Sequence, residues 1–323
     1  MSSLFFATVG LQLASTVQAY TQVNIMSAFM TKNIDPIVFP GEYSKSHLHS
    51  FFGSDAVTAN TKTSAELQKG CTNAENPNDL SVYWVPTPLY TTDNGKTYKP
   101  MPMFRFSAYY NLGETPAEVP IPQNLKMLAG KATARSEGEM IAGAQSSWAC
   151  ETSGGKSLDA NGFPSSTCGT HLQQLLYFPQ CVNTETLETG YKNKRGGSCP
   201  PGMKSMPQLR FSIRWDVRKV LPGGWSGTAP FKLACGPAWC SHGDFINGWT
   251  QETAEKMVET SRAKFEYSSV NGALGKDGDK PKCKASDAEP SKGTSDYAES
   301  VAAMSKRDVM TWGWSSKSRM VRN

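Results

Sequence analysis

Histidine is scarce in this chain: only four occur among 323 residues. Chemistry that needs imidazole must therefore be concentrated in few places. None of the eight cysteines forms a C-x-x-C pair, which excludes the usual structural zinc spacings. There is no N-x-S/T sequon, so N-glycosylation is not expected. No basic block is dense enough for nucleic acid, since 33 Lys+Arg stand against 28 Asp+Glu for a formal charge of +5. No apolar run is long enough to span a bilayer. No internal repeat and no clear second domain are visible.

A hydrophobic content of 38% supports a sizeable core, while 28 Gly and 20 Pro favour turns over long helices. The first nineteen residues, MSSLFFATVGLQLASTVQA, hold no charged side chain. Leu4 to Ala14 is mostly apolar, and Val17-Gln18-Ala19 gives a small-x-small ending before Tyr20. This reads as a secretory signal peptide over residues 1–19. The mature protein is expected to be secreted, extracellular or in the cell wall, free of the membrane and monomeric. An even count of cysteines behind such a leader suggests four disulfides. Cys235 and Cys240 enclose only GPAW and suit a local loop, and Cys181 and Cys199 bracket a polar stretch. The remaining pairings stay open.

Short β-like runs recur between turn signals: QVNIMSAF, DLSVYWVP, MFRFSAYY, HLQQLLYF and QLRFSIRWDV. Leu209, Phe211, Ile213 and Trp215 alternate with Arg210, Ser212, Arg214 and Asp216. The expected fold is mainly β, an antiparallel β-sandwich or jelly roll with one C-terminal helix and long disulfide-tied loops. The helix is predicted from Glu252 to about Phe265, capped by Thr250 or Thr253. A single β-rich domain is expected over residues 20–267. Residues 268–323 read as a polar extension, a mobile surface tract pinned by Cys283, with VMTWGWSS returning as a last strand.

Two short segments concentrate the titratable groups. In SHLHSFFG, His47 and His49 stand at i and i+2 and leave the same face of an extended segment, with Leu48 turned to the core. In CSHGDFINGW, His242 and Asp244 have the same spacing. Brought together, three imidazoles and a carboxylate suit a divalent cation such as zinc or copper, with His47, His49 and His242 as ligands. They equally suit an acid/base pair. His171 heads an apolar run and reads as structural.

The order of DPIVFPG, SHLHSFFG, YWVPTPLY, IPQNLKMLAG, FPQC, CPPG…PQLRFSIRWD and HGDFINGW resembles a fungal secreted family, domain of unknown function nineteen-ninety-six, found alone or beside glycan-binding WSC modules. The likeness runs from about Asn24 to Phe265. It implies that the paired histidines are His47 and His49, the histidine–aspartate block is His242 and Asp244, and the leading aspartate is Asp35. The family's further histidines after FPQC are missing here, where the chain reads CVNTETLETGYKNKRGGSCP.

A secreted protein of this setting is expected to meet polysaccharide, with Trp84, Tyr83, Trp239 and Trp249 as sugar-stacking candidates beside Trp225 and Tyr90. Trp215 falls on the apolar face and reads as core. A hydrolase needs two carboxylates, for which Asp35, Asp55, Asp216 and Asp244 are available. A lyase needs a base and a charge stabiliser, which His47, His49 and a cation or Arg214 would supply. A lytic copper oxidase would want an N-terminal histidine, whereas the expected mature terminus is Tyr20. The rival expectation is a non-catalytic wall protein that binds glycan or metal.

Overall fold

Leu209, Phe211, Ile213 and Trp215 are buried, and Arg210 and Arg214 between them are only partly covered. That period of two is the signature of a strand with one face on a core. The computed structural model describes residues 19–111, 117–152, 157–260 and 266–305. Among them, eleven strands build two large sheets. In chain order they are β1 (Ala19–Ile25), β2 (Met30–Lys32), β3 (His49–Gly53), β4 (Val82–Pro86), β5 (Met103–Tyr110), β6 (Lys126–Gly130), β7 (Ser147–Cys150), β8 (Leu172–Tyr177), β9 (Leu209–Trp215), β10 (His242–Ile246) and β11 (Glu266–Tyr267). The six-stranded sheet has the order β11-β1-β5-β9-β8-β7, and the five-stranded sheet β2-β3-β4-β10-β6. Pairing is antiparallel except between β1 and β11. Two small three-stranded sheets decorate the loops. The expected mainly β, antiparallel, sandwich-like fold is thus what the chain adopts.

The two large sheets meet face to face through aromatic rings. Phe52 of β3 stacks on Phe106 of β5 at 4.7 Å, and Tyr83 of β4 lies 5.8 Å from Phe211 of β9. Gly243 is small for a reason: a Cβ there would lie 2.6 Å from Leu176 and 2.8 Å from Phe211. The five-stranded sheet is covered on its other face too. Phe51, Val82, Trp84 and Ile246 point away from the sandwich into a second core, roofed by Ile34, Val57, Ala59 and Leu67. The strands of this sheet therefore read as unbroken apolar runs rather than as alternation.

All eight cysteines pair, as Cys71–Cys283, Cys150–Cys168, Cys181–Cys199 and Cys235–Cys240. Four bridges, including both expected local ones, agree with the sequence reading. Besides a further helical stretch over residues 297–305, which the sequence reading did not foresee, the predicted helix runs Gln251–Thr260 and buries Ala254 and Met257 in the main core. Its expected continuation over residues 261–265 lies outside the described residues, as do residues 1–18, where a leader is expected, and VMTWGWSS.

The polar tract after the helix is held at more points than Cys283. Ser268 N donates to Tyr20 O at 2.9 Å, and Gly278 N to Glu75 O at 2.8 Å. The buried Lys32 ammonium meets Asp287 at 2.6 Å, and Asn33 N donates to Thr294 O at 3.2 Å. No helix among the described residues is long and apolar enough to cross a membrane.

Candidate functional site

His47 and His49 sit at the entry of β3, and the side chains alternate as the spacing predicts. Leu48 is fully buried in a small cluster with Leu89 and Ala234, so the two imidazoles leave the opposite side. Alternation also orients β10. Gly243 and Phe245 face the six-stranded sheet, so His242, Asp244 and Ile246 point the other way. Strand β4 lies between β3 and β10. His49 pairs with Pro86, and Asp244 pairs with Trp84. Continued by two residues, the register sets His242 opposite Pro86 as well. The two histidines thus lean toward each other over a proline that has no long side chain to separate them. On the outer flank β6 approaches closely at Gly130, which takes φ +85°; a Cβ there would lie 2.3 Å from Ser241 O.

The three imidazoles converge. Ring centres of His47 and His49 are 4.2 Å apart, of His47 and His242 5.1 Å, and of His49 and His242 5.5 Å. His49 Nε2 and His242 Nε2 face each other at 3.3 Å. The opposite ring nitrogens are anchored on backbone: His49 Nδ1 donates to Ile34 O at 2.9 Å, and His242 Nδ1 to Cys240 O at 2.8 Å. Asp244 Oδ2 lies 4.0 Å from His242 Nε2. Both Asp244 oxygens and His47 Nε2 are buried without a hydrogen-bond partner among the described residues. His49, His242 and Asp244 are fully buried, while His47 is half-buried and forms the solvent side of the cluster.

Burial dominates the electrostatics. It pushes the His47 imidazole well below the ordinary histidine range, helped by the neighbouring histidines and by Arg135. Burial acts likewise on His49, together with the nearby His242, against the opposing bond to Ile34. His242 is lowered to about 4 by burial. The Asp244 carboxyl is pushed well above the carboxylate range by burial and then by the charge of Asp35. Asp35 is thus an electrostatic neighbour; its Oδ1 is engaged by Ile37 N and Val38 N at 3.0 and 2.9 Å.

The residues able to hold a cation together are therefore His49, His242 and Asp244, whose ligand atoms lie within 4.8 Å of one another. The Cys235 sulfur lies within 4.8 Å of the His47 and His242 nitrogens, but it belongs to the Cys235–Cys240 bridge and is no thiolate. The two backbone carbonyls, Pro86 and Arg135 complete the surroundings. Residue type signals none of them, because carbonyls occur at every position and only the fold selects which ones face a ring.

The aromatic expectations need correction. Trp84, Tyr83 and Trp249 are fully buried and offer no face to a sugar. Trp84 stacks on Phe51 at 5.5 Å, Tyr83 bonds Asp79, and Trp249 Nε1 donates to Tyr110 OH at 3.0 Å. Trp239 and Trp225 are half-buried; Trp239 packs on Gly162, and Trp225 Nε1 donates to Pro164 O at 2.8 Å. Arg214 is not at the histidines. It pairs with Glu151 at 2.5 Å, and the same carboxylate accepts from His171 at 2.8 Å on the six-stranded sheet. Asp55 receives Cys71 N at 2.7 Å, and Asp216 caps the short helix Val217–Val220.

No curated protein and no solved structure matches the chain. The sequence model of one family, a domain of unknown function (DUF1996), matches residues 35–249, which hold both histidine strands and Asp244. That match spans two thirds of the 323 residues, and the chain belongs to this family.

Proposed function

We propose that the protein is secreted and acts on extracellular polysaccharide, as a hydrolase or lyase whose centre is the cluster of His47, His49, His242 and Asp244. The observation that carries this reading is the convergence of three of the four histidines, from two strands remote in sequence, beside a buried carboxylate. Structural histidines satisfied in packing do not cluster with unbonded nitrogens and carboxylate oxygens, because each such atom costs desolvation. Four disulfides and the leader-like N-terminus favour an oxidising, extracellular setting. His47 is the least buried of the four, and in this reading it is the group that serves as base.

A polar and aromatic row on the outer face of the six-stranded sheet favours an acidic glycan as the polymer. The Arg210 guanidinium lies 4.5 Å from the Tyr109 ring and 5.7 Å from the Tyr177 ring. Tyr177 continues into a cavity of about 310 Å³ whose lining includes Gln145, Gln180, Gln208, Lys194 and Arg195. Flat rings suit sugar C–H faces, carboxamides suit hydroxyls, and the cations suit uronate carboxylates.

The test is product release from a panel of acidic and neutral polysaccharides, comparing wild type with His47→Ala. Release that falls at least about a hundredfold in the variant agrees with a general-base role; equal release removes it. A second reading, a wall protein that binds without catalysis, is favoured by the full burial of His49, His242 and Asp244, which a polymer cannot reach. Retention on insoluble glycan with no product would select it.

A further inference from the structure

The placement of hydrogen on the two facing imidazoles leads beyond any glycan chemistry. A backbone carbonyl can only accept a hydrogen bond. With Ile34 O at 2.9 Å and Cys240 O at 2.8 Å, the proton of each ring must therefore sit on Nδ1 of His49 and Nδ1 of His242. In a neutral imidazole so protonated, Nε2 is a bare lone pair. Those two lone pairs point at one another across 3.3 Å, with no hydrogen between them. Beside them, both oxygens of Asp244 and the Nε2 of His47 are buried and make no hydrogen bond among the described residues. One ligand atom each of His49, His242 and Asp244 thus lies within 4.8 Å of the other two.

We propose that this cluster is a zinc centre, ligated by His49 Nε2, His242 Nε2 and Asp244, with its fourth position open on the solvent side where His47 stands. The distances argue for zinc over an ion of square-planar preference. With zinc–nitrogen bonds of about 2.0–2.1 Å and a tetrahedral angle, two ligand nitrogens lie about 3.3–3.4 Å apart. Square-planar neighbours would lie only about 2.8–2.9 Å apart. The observed separation is 3.3 Å. The Asp244 oxygen, 4.0 Å from His242 Nε2, needs an inward shift of about half an ångström to complete the same edge. Ile34 O and Cys240 O play the part usual for the partners of ligating histidines, holding Nδ1–H and so presenting Nε2 to the metal. Full burial of three ligands closes the site to bulky groups and leaves the His47 side as the one approach.

The inference rests on the cluster identified above but not on its acting on polysaccharide. The full-length protein, stripped by a chelator and kept in its oxidised state, is titrated with zinc chloride by calorimetry. Bound metal is then counted after gel filtration. A single zinc ion per chain is expected. Asp244→Asn keeps the shape of the side chain and should weaken binding by at least about tenfold, as should His242→Ala; His171→Ala, outside the cluster, should not. Long-range proton–nitrogen NMR on the zinc-free protein should show Nδ1–H forms of His49 and His242, and zinc should shift both Nε2 resonances. Three results would each overturn the proposal. They are no zinc uptake by the folded chain, uptake indifferent to Asp244→Asn and His242→Ala, or an imidazolium at His49 or His242 near neutral pH in zinc-free protein. The last would mean that a shared proton fills the gap. Zinc uptake is read without any glycan, so its failure and the failure of the polysaccharide reading are separate events.

Discussion

Asp79 is a fully buried carboxyl. Its oxygens accept from Ser81 N at 3.1 Å and from Tyr83 OH at 2.5 Å, and Tyr83 meets Tyr110 OH at 2.6 Å. Burial outweighs these bonds and pushes its pKa up to about 7. In the unfolded chain the same group titrates near its ordinary value of about 3.9. Between about pH 4 and about pH 7 the folded state therefore holds the proton while the unfolded state has lost it, and stability falls as pH rises. The loss is complete above the folded pKa and amounts to roughly 4 kcal/mol. Asp79→Asn mimics the protonated form. Urea midpoints measured from pH 4 to 8 should lose this descent in the variant; parallel curves for both proteins would refute it. Glycine positions at the site are a second residue-scale test. Gly130→Ala meets Ser241 O at a positive φ and should cost at least about 2 kcal/mol in thermal or chemical unfolding, and Gly243→Ala about 1–3 kcal/mol through its clash with Leu176 and Phe211.

Among the elements, what the sequence made legible follows from burial. Strand β9 shows one face to solvent and reads as a strand at sight. The histidine blocks were legible for the same reason: period two puts His47 with His49, and His242 with Asp244, on common faces. Strand β4 is covered on both faces, so VYWVP carries no alternation, and nothing in its residue types distinguishes a core Trp84 from one awaiting a sugar. Short β2 exists through pairing with β3, a contact that local propensity does not encode. The Cys71–Cys283 pairing was equally hidden, since it joins residues 212 apart. That bridge fastens the polar tract beside β2, where Lys32 and Asn33 hold it further. Replacing both cysteines by serine should lower stability by about 5 kcal/mol on loop entropy. Hydrogen exchange in residues 266–305 should rise while β5 and β9 stay protected. Uniform loosening of the whole protein would count against this local role.

At the scale of the molecule, the sandwich separates two surfaces. His242 and Asp244 point away from the six-stranded sheet, whose far side carries Arg210, Tyr109, Tyr177 and the basic cavity. Changes on one side should therefore leave the other unaffected. Lys194→Ala with Arg195→Ala should weaken retention on polygalacturonate several-fold at low salt, with a smaller effect as salt screens the charges. Stability should move by less than about 0.5 kcal/mol, since both side chains are exposed, and zinc uptake should not change. Loss of zinc uptake in this double variant would show that the two faces are coupled. The covalent framework has its own result at this scale, because the other three disulfides are nested inside the long one. A protease that nicks the backbone once anywhere between residues 71 and 283 leaves both fragments tethered. They part on a gel only after reduction, so a chain clipped once in a hostile medium remains a single particle.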